Sequence, residues 1–129
     1  MHHNILISLA SNFEQEANLA LARQELGKML EPLRYSEAIW TEPVNAQRPD
    51  LYLNQLLLAH TDLSVQHLQI ALKSMERDMG RTNEDRQQGI VRIDLDLMSY
   101  DDERYHLRDW ERPYMKKLLQ KFGSFRVSL

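Results

Sequence analysis

The sequence predicts an α+β domain in which two helices pack on one face of a four-stranded sheet. Three observations predict it. Val91 to Met98 (VRIDLDLM) alternates apolar and polar residues at the period of a half-buried strand. Two longer segments, after Asn12 and after Asp62, carry apolar residues at helical spacing behind capping residues. Short apolar runs suited to strands lie before and between them, so the order along the chain is β-α-β-β-α-β.

Asn4 to Leu9 (NILISL) reads as the first strand, broken by Ala10-Ser11-Asn12. Asn12 is expected to cap the first helix, with Glu14 and Glu16 in its opening turn, where carboxylates suit the helix dipole. Ala17, Leu19, Ala20, Leu21, Leu26, Met29 and Leu30 form its apolar stripe, and Pro32 ends it. Tyr35 to Thr41 is strand-like, and Glu42 to Asp50, with Pro43, Asn45 and Pro49, reads as a loop. Leu51 to Thr61 fits helix or strand by pattern. A strand is preferred because Tyr52 is an aromatic of the kind strands favour, and because the next helix has its own start at Asp62-Leu63-Ser64. Ser64 caps that helix, Leu68, Ala71, Leu72 and Met75 face inward, and Gly80 stops it. Residues 81–90 (RTNEDRQQGI) read as a polar, mobile loop. Strand 91–98 follows, then a polar irregular stretch over 99–109. A last helix is expected from Trp110 to Lys121, with Pro113 in its first turn. Two helices per four strands is the ferredoxin-like plan, here with a C-terminal helical extension. Its second sheet face is left for a ligand or partner. The plan hosts many unrelated activities, so function has to be read from side chains.

Composition narrows the classes. A chain of 129 residues suggests one domain over 1–129, and 43% hydrophobic with 27% charged residues is ordinary for a globular protein. A net charge of −3 supplies no basic field to recruit nucleic acid or an anionic membrane. With no cysteine, disulfides, thiolate chemistry and cysteine-ligated zinc are excluded. No apolar run approaches the roughly 20 residues of a membrane span. The opening Met1-His2-His3-Asn4 lacks the layout of a signal peptide, so the cytoplasm is expected, and no metal site is read in His2 and His3. The oligomeric state is not legible.

The alternating strand carries the chemistry. Residues two apart share a strand face, so Asp94 and Asp96 project side by side, about 6–7 Å apart. Such a pair repels itself unless a cation sits between, and hard oxygen ligands suit Mg²⁺, which completes its shell with water and substrate phosphates. Arg92, in phase with them, is placed to meet a phosphate in two-pronged fashion. The plainer reading of the octapeptide is a strand with a solvated charged face.

Five matches, that strand among them, in order and at compatible spacing, resemble one family. Ile7-Ser8-Leu9-Ala10-Ser11-Asn12 looks like an opening strand ending in Gly-Ser-Asn, with Ala10 for the glycine. Thr41-Glu42-Pro43 matches a Thr-x-Pro turn, and Tyr52-Leu53-Asn54 an aromatic-Leu-Asn strand. Glu76 followed by Gly80-Arg81 matches Glu-x-x-x-Gly-Arg, and Ile93 to Leu97 matches an Asp-x-Asp strand. Together they resemble 6-hydroxymethyl-7,8-dihydropterin pyrophosphokinase of folate biosynthesis, in a divergent or shortened form. The resemblance implies Mg²⁺-dependent transfer of pyrophosphate from ATP to the pterin. It implies two Mg²⁺ ions on Asp94 and Asp96, a pterin pocket from Thr41, Pro43, Tyr52 and Asn54, and nucleotide contacts from Glu76, Arg81 and Leu97. Arg86 and Arg92, with the two aspartates, are the expected catalytic group. Phe122 stands near the place of an aromatic that stacks on the pterin. The departures are local. Gln87-Gln88-Gly89-Ile90-Val91 replaces a loop with Arg and Trp before Gly-Pro-Arg, and Tyr114 stands where a histidine follows Pro113. A thinned phosphate apparatus leaves a second reading open, a catalytically weak relative that binds pterin, nucleotide or a protein partner. A third is an interaction module with no ligand.

Overall fold

The computed structural model describes residues 2–43, 48–80 and 82–122. Alternate side chains of its first strand enter two different cores. β1 (His3–Ser11) sends Ile5, Ile7 and Leu9 into the main core and Leu6 into a second one. It lies mid-sheet, antiparallel to β4 (Tyr52–Thr61) on one side and to β5 (Asp94–Tyr100) on the other. β2 (Glu31–Tyr35) and β3 (Ile39–Thr41) both pair with the outer edge of β4, and β6 (Glu103–Arg104) pairs with the end of β5. The resulting order, β2-β4-β1-β5-β6 with β3 also on β4, is that of the expected ferredoxin-like plan, with its second strand interrupted. The assignment of 51–61 to a strand holds.

α1 (Gln15–Met29) buries Leu19, Ala22 and Leu26, and α2 (Val65–Asp78) buries Leu68, Leu72 and Met75, all in the main core. The stripe on α1 is narrower than expected, for Ala17, Ala20 and Leu21 are exposed. The Ser64 hydroxyl accepts from the His67 N–H at 3.2 Å, as a cap should. Just past α2, Gly80 adopts φ +103°, a conformation that L side chains rarely take.

Four expectations are corrected. Asn12 does not cap α1, whose N-cap is Glu14 in a left-handed conformation with no side-chain hydrogen bond. Asn12 is buried and clamps the approach to β5 instead. Its amide donates to the Gly89 carbonyl (2.9 Å), and its Oδ1 accepts from the Val91 N–H (2.7 Å). Second, the expected strand 35–41 is split between β2 and β3, and β2 starts early enough to contain Pro32. A proline is tolerated there because β2 is an edge strand and needs no donor on its outer side. Third, the loop 81–90 contains α3 (Asn83–Gln88), capped by the Thr82 hydroxyl on the Asp85 N–H (3.1 Å) and closed by Gly89 at φ +72°. Its sequence NEDRQQ has no apolar residue, so no periodicity announced it. Fourth, the strand read over 91–98 begins at Asp94, because Val91 is tied to Asn12 and Arg92 turns away.

β5 also runs further, and over a bulge. Ile7 pairs with Leu97 but Leu6 pairs with Ser99, so Met98 is the extra residue. The bulge switches parity. Met98 joins Leu6 in the second core, while Tyr100 packs on the main one.

The second sheet face is not fully open, contrary to expectation. Leu6, Leu56 and Met98 are covered by Trp110, Met115, Leu118 and Phe122. The stretch read as irregular up to residue 109 holds β6 and the start of α4 (Leu107–Trp110), and the last helix, α5 (Pro113–Gln120), begins at Pro113. The buried Trp110 Nε1 donates to the carbonyls of Tyr105 (2.9 Å) and Met98 (3.3 Å), which fixes α4 to the sheet. Among the described residues, no helix is long and apolar enough to cross a membrane.

Candidate active site

Beyond the apolar block under α5, the same sheet face turns polar. The register makes this exact arrangement unavoidable: Ala10 lies opposite Asn54 on one side and Asp94 on the other, and Ser8 lies opposite Asp96. Asn54 and Asp94 are therefore two strand spacings apart, about 10 Å, with small side chains as the floor between them. Tyr52, two residues before Asn54, shares its face as expected. These residues line a cleft of about 280 Å³, walled by Thr41 and Glu42 and by Asp109, Arg112 and Tyr114 from the C-terminal segment.

Each wall has a cause. The Asn54 amide, buried, donates to the Thr41 hydroxyl at 2.6 Å, so β3 and β4 orient it together. Pro43, half-buried, follows and does not line the cleft. Arg112 donates from Nε to Asp109 Oδ1 at 3.0 Å. The Tyr114 phenol is pushed up to about 12, first by burial and then by the charges of Asp109, Asp96 and Asp94, with Arg112 opposing. Tyr114 is thus a neutral hydrogen-bond donor at physiological pH, in a field dominated by carboxylates.

Asp96 also faces a second cleft, of about 310 Å³, lined by Gln69, Leu72, Lys73, Leu95, Leu97 and His106. Lys73 Nζ stands 4.0 Å and His106 Nε2 3.7 Å from its Oδ1. This cleft follows the free edge of β5, since β6 covers only Ser99 and Tyr100. Glu76, expected at the nucleotide, is buried and accepts the Leu95 N–H at 2.7 Å and Lys73 Nζ at 3.2 Å. It holds the edge of the strand that carries both aspartates. By the alternation of the strand, Leu97 presents its N–H to the same edge while its side chain sits in the main core.

The structure brings together Asp94, Asp96, Thr41, Tyr52 and Asn54, and places Leu97 beside them. The arginines behave differently. Arg92, expected in phase with Asp94, donates from Nε to Asp85 Oδ2 (2.8 Å) and lies 4.8 Å over the Phe13 ring. That hydrogen bond holds the Asp85 carboxyl below its usual range and raises Arg92. Gly80 makes room, because a Cβ there would stand 3.3 Å from Arg92 Cδ. Arg86 is exposed on α3, and Arg81 lies outside the described residues. Phe122 is fully buried in the second core. Sequence reasoning missed Ser8, Lys73, His106, Asp109 and Arg112. Only Arg112, a cation directly before a helix-opening proline, carried a local signal.

A family model for 7,8-dihydro-6-hydroxymethylpterin-pyrophosphokinase matches residues 6–123. The chain belongs to this family. Two relatives are folate synthesis bifunctional proteins of plants. The mitochondrial one from Pisum sativum is 34% identical over 100 residues, covering 70% of this chain and 19% of that protein. The one from Arabidopsis thaliana is 29% identical over 121 residues, covering 86% of this chain and 25% of that protein. The chain thus spans a quarter or less of the length of these relatives.

Proposed function

We propose that the protein transfers pyrophosphate from ATP to 6-hydroxymethyl-7,8-dihydropterin in an Mg²⁺-dependent reaction. The observation that carries this reading is that Asp96 lines two clefts at once. A group transfer needs two substrates whose reacting atoms meet, and a carboxylate at the junction of two sites is where a phosphate chain would cross. The cleft of Thr41, Tyr52 and Asn54 takes the pterin, whose ring edge needs the donor and acceptor pair of an amide. The cleft along β5 takes the nucleotide, with the Leu97 backbone and Gln69 at hand for its base.

The donor set fits Mg²⁺. Asp94 and Asp96 are hard oxygen donors on one strand face over a small-residue floor, and their charges add to the burial that raises Tyr114, a field that a cation would relieve. When bound, two Mg²⁺ ions would offset charge on the phosphates and on both aspartates. Asp94 and Asp96 would hold them. Asn54 and Thr41 would orient the pterin so that its hydroxymethyl oxygen bonds to the β-phosphorus of ATP as the bond from that phosphorus to the AMP oxygen breaks, with AMP leaving and the hydroxyl proton passing to solvent. Arg112 leaves Asp109 to meet the phosphate charge, and Tyr114 donates a hydrogen bond to the same region. Arg92 joins them only on leaving Asp85, with Arg86 and Arg81 as further candidates from the segment around α3.

The engagement of Arg92 by Asp85 favours a second reading, a relative that binds both ligands and turns over slowly. A coupled assay separates the two. AMP released from ATP only when the pterin and Mg²⁺ are present supports transfer. Calorimetric binding of the pterin with no AMP under excess ATP and Mg²⁺ supports the binder.

A further inference from the structure

The end of the sheet opposite the cleft gathers a different set of ligands. One ring nitrogen each from His2 and His60 and a carboxylate oxygen of Glu31 all lie within 4.8 Å of one another. Three separate chain segments bring them there, and the register explains why. Glu31 of β2 lies directly opposite His60 of β4, and His60 lies opposite Asn4 of β1 on its other side. His2 stands two residues before Asn4 and thus shares its face. His60 is six residues along β4 from Asn54, about 20 Å, with the apolar block of the second core between the two. The cluster is therefore separate from the two clefts.

Its chemistry also differs from theirs. The cleft offers carboxylates, which suit Mg²⁺; this cluster offers two imidazoles and one carboxylate, a set that suits zinc-class divalent ions. The rings of His2 and His60 are stacked, with centroids 5.5 Å apart. His2 Nδ1 stands 3.4 Å from Asp62 Oδ1, and Asp62 lies two residues past His60. A carboxylate on one nitrogen of a ligating imidazole is the usual outer support that orients the ring.

We propose that His2, His60 and Glu31 form a zinc-class metal site, with Asp62 as its outer carboxylate, which ties His2 to the edge of the sheet. The site binds Zn²⁺ or Co²⁺ in preference to Mg²⁺, and it stabilises the fold without taking part in transfer. Because the ligands come from three segments, a bound ion raises the melting temperature by favouring the folded state.

Isothermal titration of the full chain with ZnCl₂ tests this, together with the visible spectrum of the Co²⁺ form. One ion per chain is expected. His60→Ala and Glu31→Gln should each weaken Zn²⁺ binding at least about tenfold and remove the Zn²⁺-dependent rise in melting temperature, and Asp62→Asn should weaken it about tenfold. The Asp94→Asn, Asp96→Asn double variant should keep the Zn²⁺ site, and His60→Ala should leave AMP release unchanged. Glu31 is exposed, so its variant reports even where the His60 variant folds poorly. No Zn²⁺ binding, binding that survives the Glu31 replacement, or binding lost in the double aspartate variant overturns the proposal.

Discussion

Asp96 is the residue on which two clefts depend, and its neighbours differ on each side. Toward the first cleft it joins Asp94 and Tyr114; toward the second it meets Lys73 and His106. Asp96→Asn is expected to keep the fold, since the side chain is partly exposed and nearly isosteric, while lowering kcat by about a hundredfold or more. Circular dichroism and the AMP assay check both halves. Arg112→Gln should lower kcat more than it raises KM, because charge on the transferring group grows in the transition state. An equal rise in KM with unchanged kcat would place Arg112 in ground-state binding alone. Asp85 makes a pH prediction. Its folded pKa is depressed by Arg92, so its contribution is complete above the unfolded value of about 3.9 and is lost as pH falls through the folded value. Urea midpoints of the protein and of Asp85→Asn should therefore differ at pH 7 and draw together as pH falls below the ordinary carboxylate range. Of these residues, Asp94 and Asp96 were legible because the strand period alone puts them on one face. Arg92 was misread because its direction is set by Asp85 and Phe13, which no local pattern links to it.

At the scale of elements, β5 is held from outside the sheet as well as within it. Asn12 ties down Gly89 and Val91 before the strand begins, and Glu76 takes the Leu95 N–H on its free edge. Glu76→Met should cost about 1–3 kcal/mol by leaving that buried donor unpaired. It should also lower Mg²⁺-dependent activity, because the strand it anchors carries the aspartates. Urea unfolding gives the first number, and a stability loss below about 0.5 kcal/mol would mean that water replaces the carboxylate. α2 could be read from Ser64, its apolar stripe and Gly80, since each acts within a few residues of itself. α3 could not, because Thr82 and Gly89 bracket a helix with no apolar face. The split of the second strand into β2 and β3 was equally hidden, for it depends on which parts of β4 each pairs with.

For the whole molecule, the C-terminal segment decides what the second sheet face can do. It covers Leu6, Leu56 and Met98 with an apolar block and supplies Asp109, Arg112 and Tyr114 to the cleft beside it. Leu118→Ala, fully buried in that block, should cost about 2–5 kcal/mol. It should also weaken pterin binding, because α5 carries Tyr114 over the cleft. Denaturant midpoints and calorimetry measure the two effects. The sequence by itself determined the order of the main strands and the two main helices, the capped α2 and the paired aspartates. All of these follow from periods of two or 3.6 residues and from caps that act over a single turn. Only the tertiary structure decided that Arg92 belongs to Asp85, that Asn12 and Glu76 brace β5, and that Asp96 joins two clefts. Those contacts link residues 7 to 79 positions apart, and the pairing of distant strands and buried polar groups that creates them leaves no periodic trace along the chain.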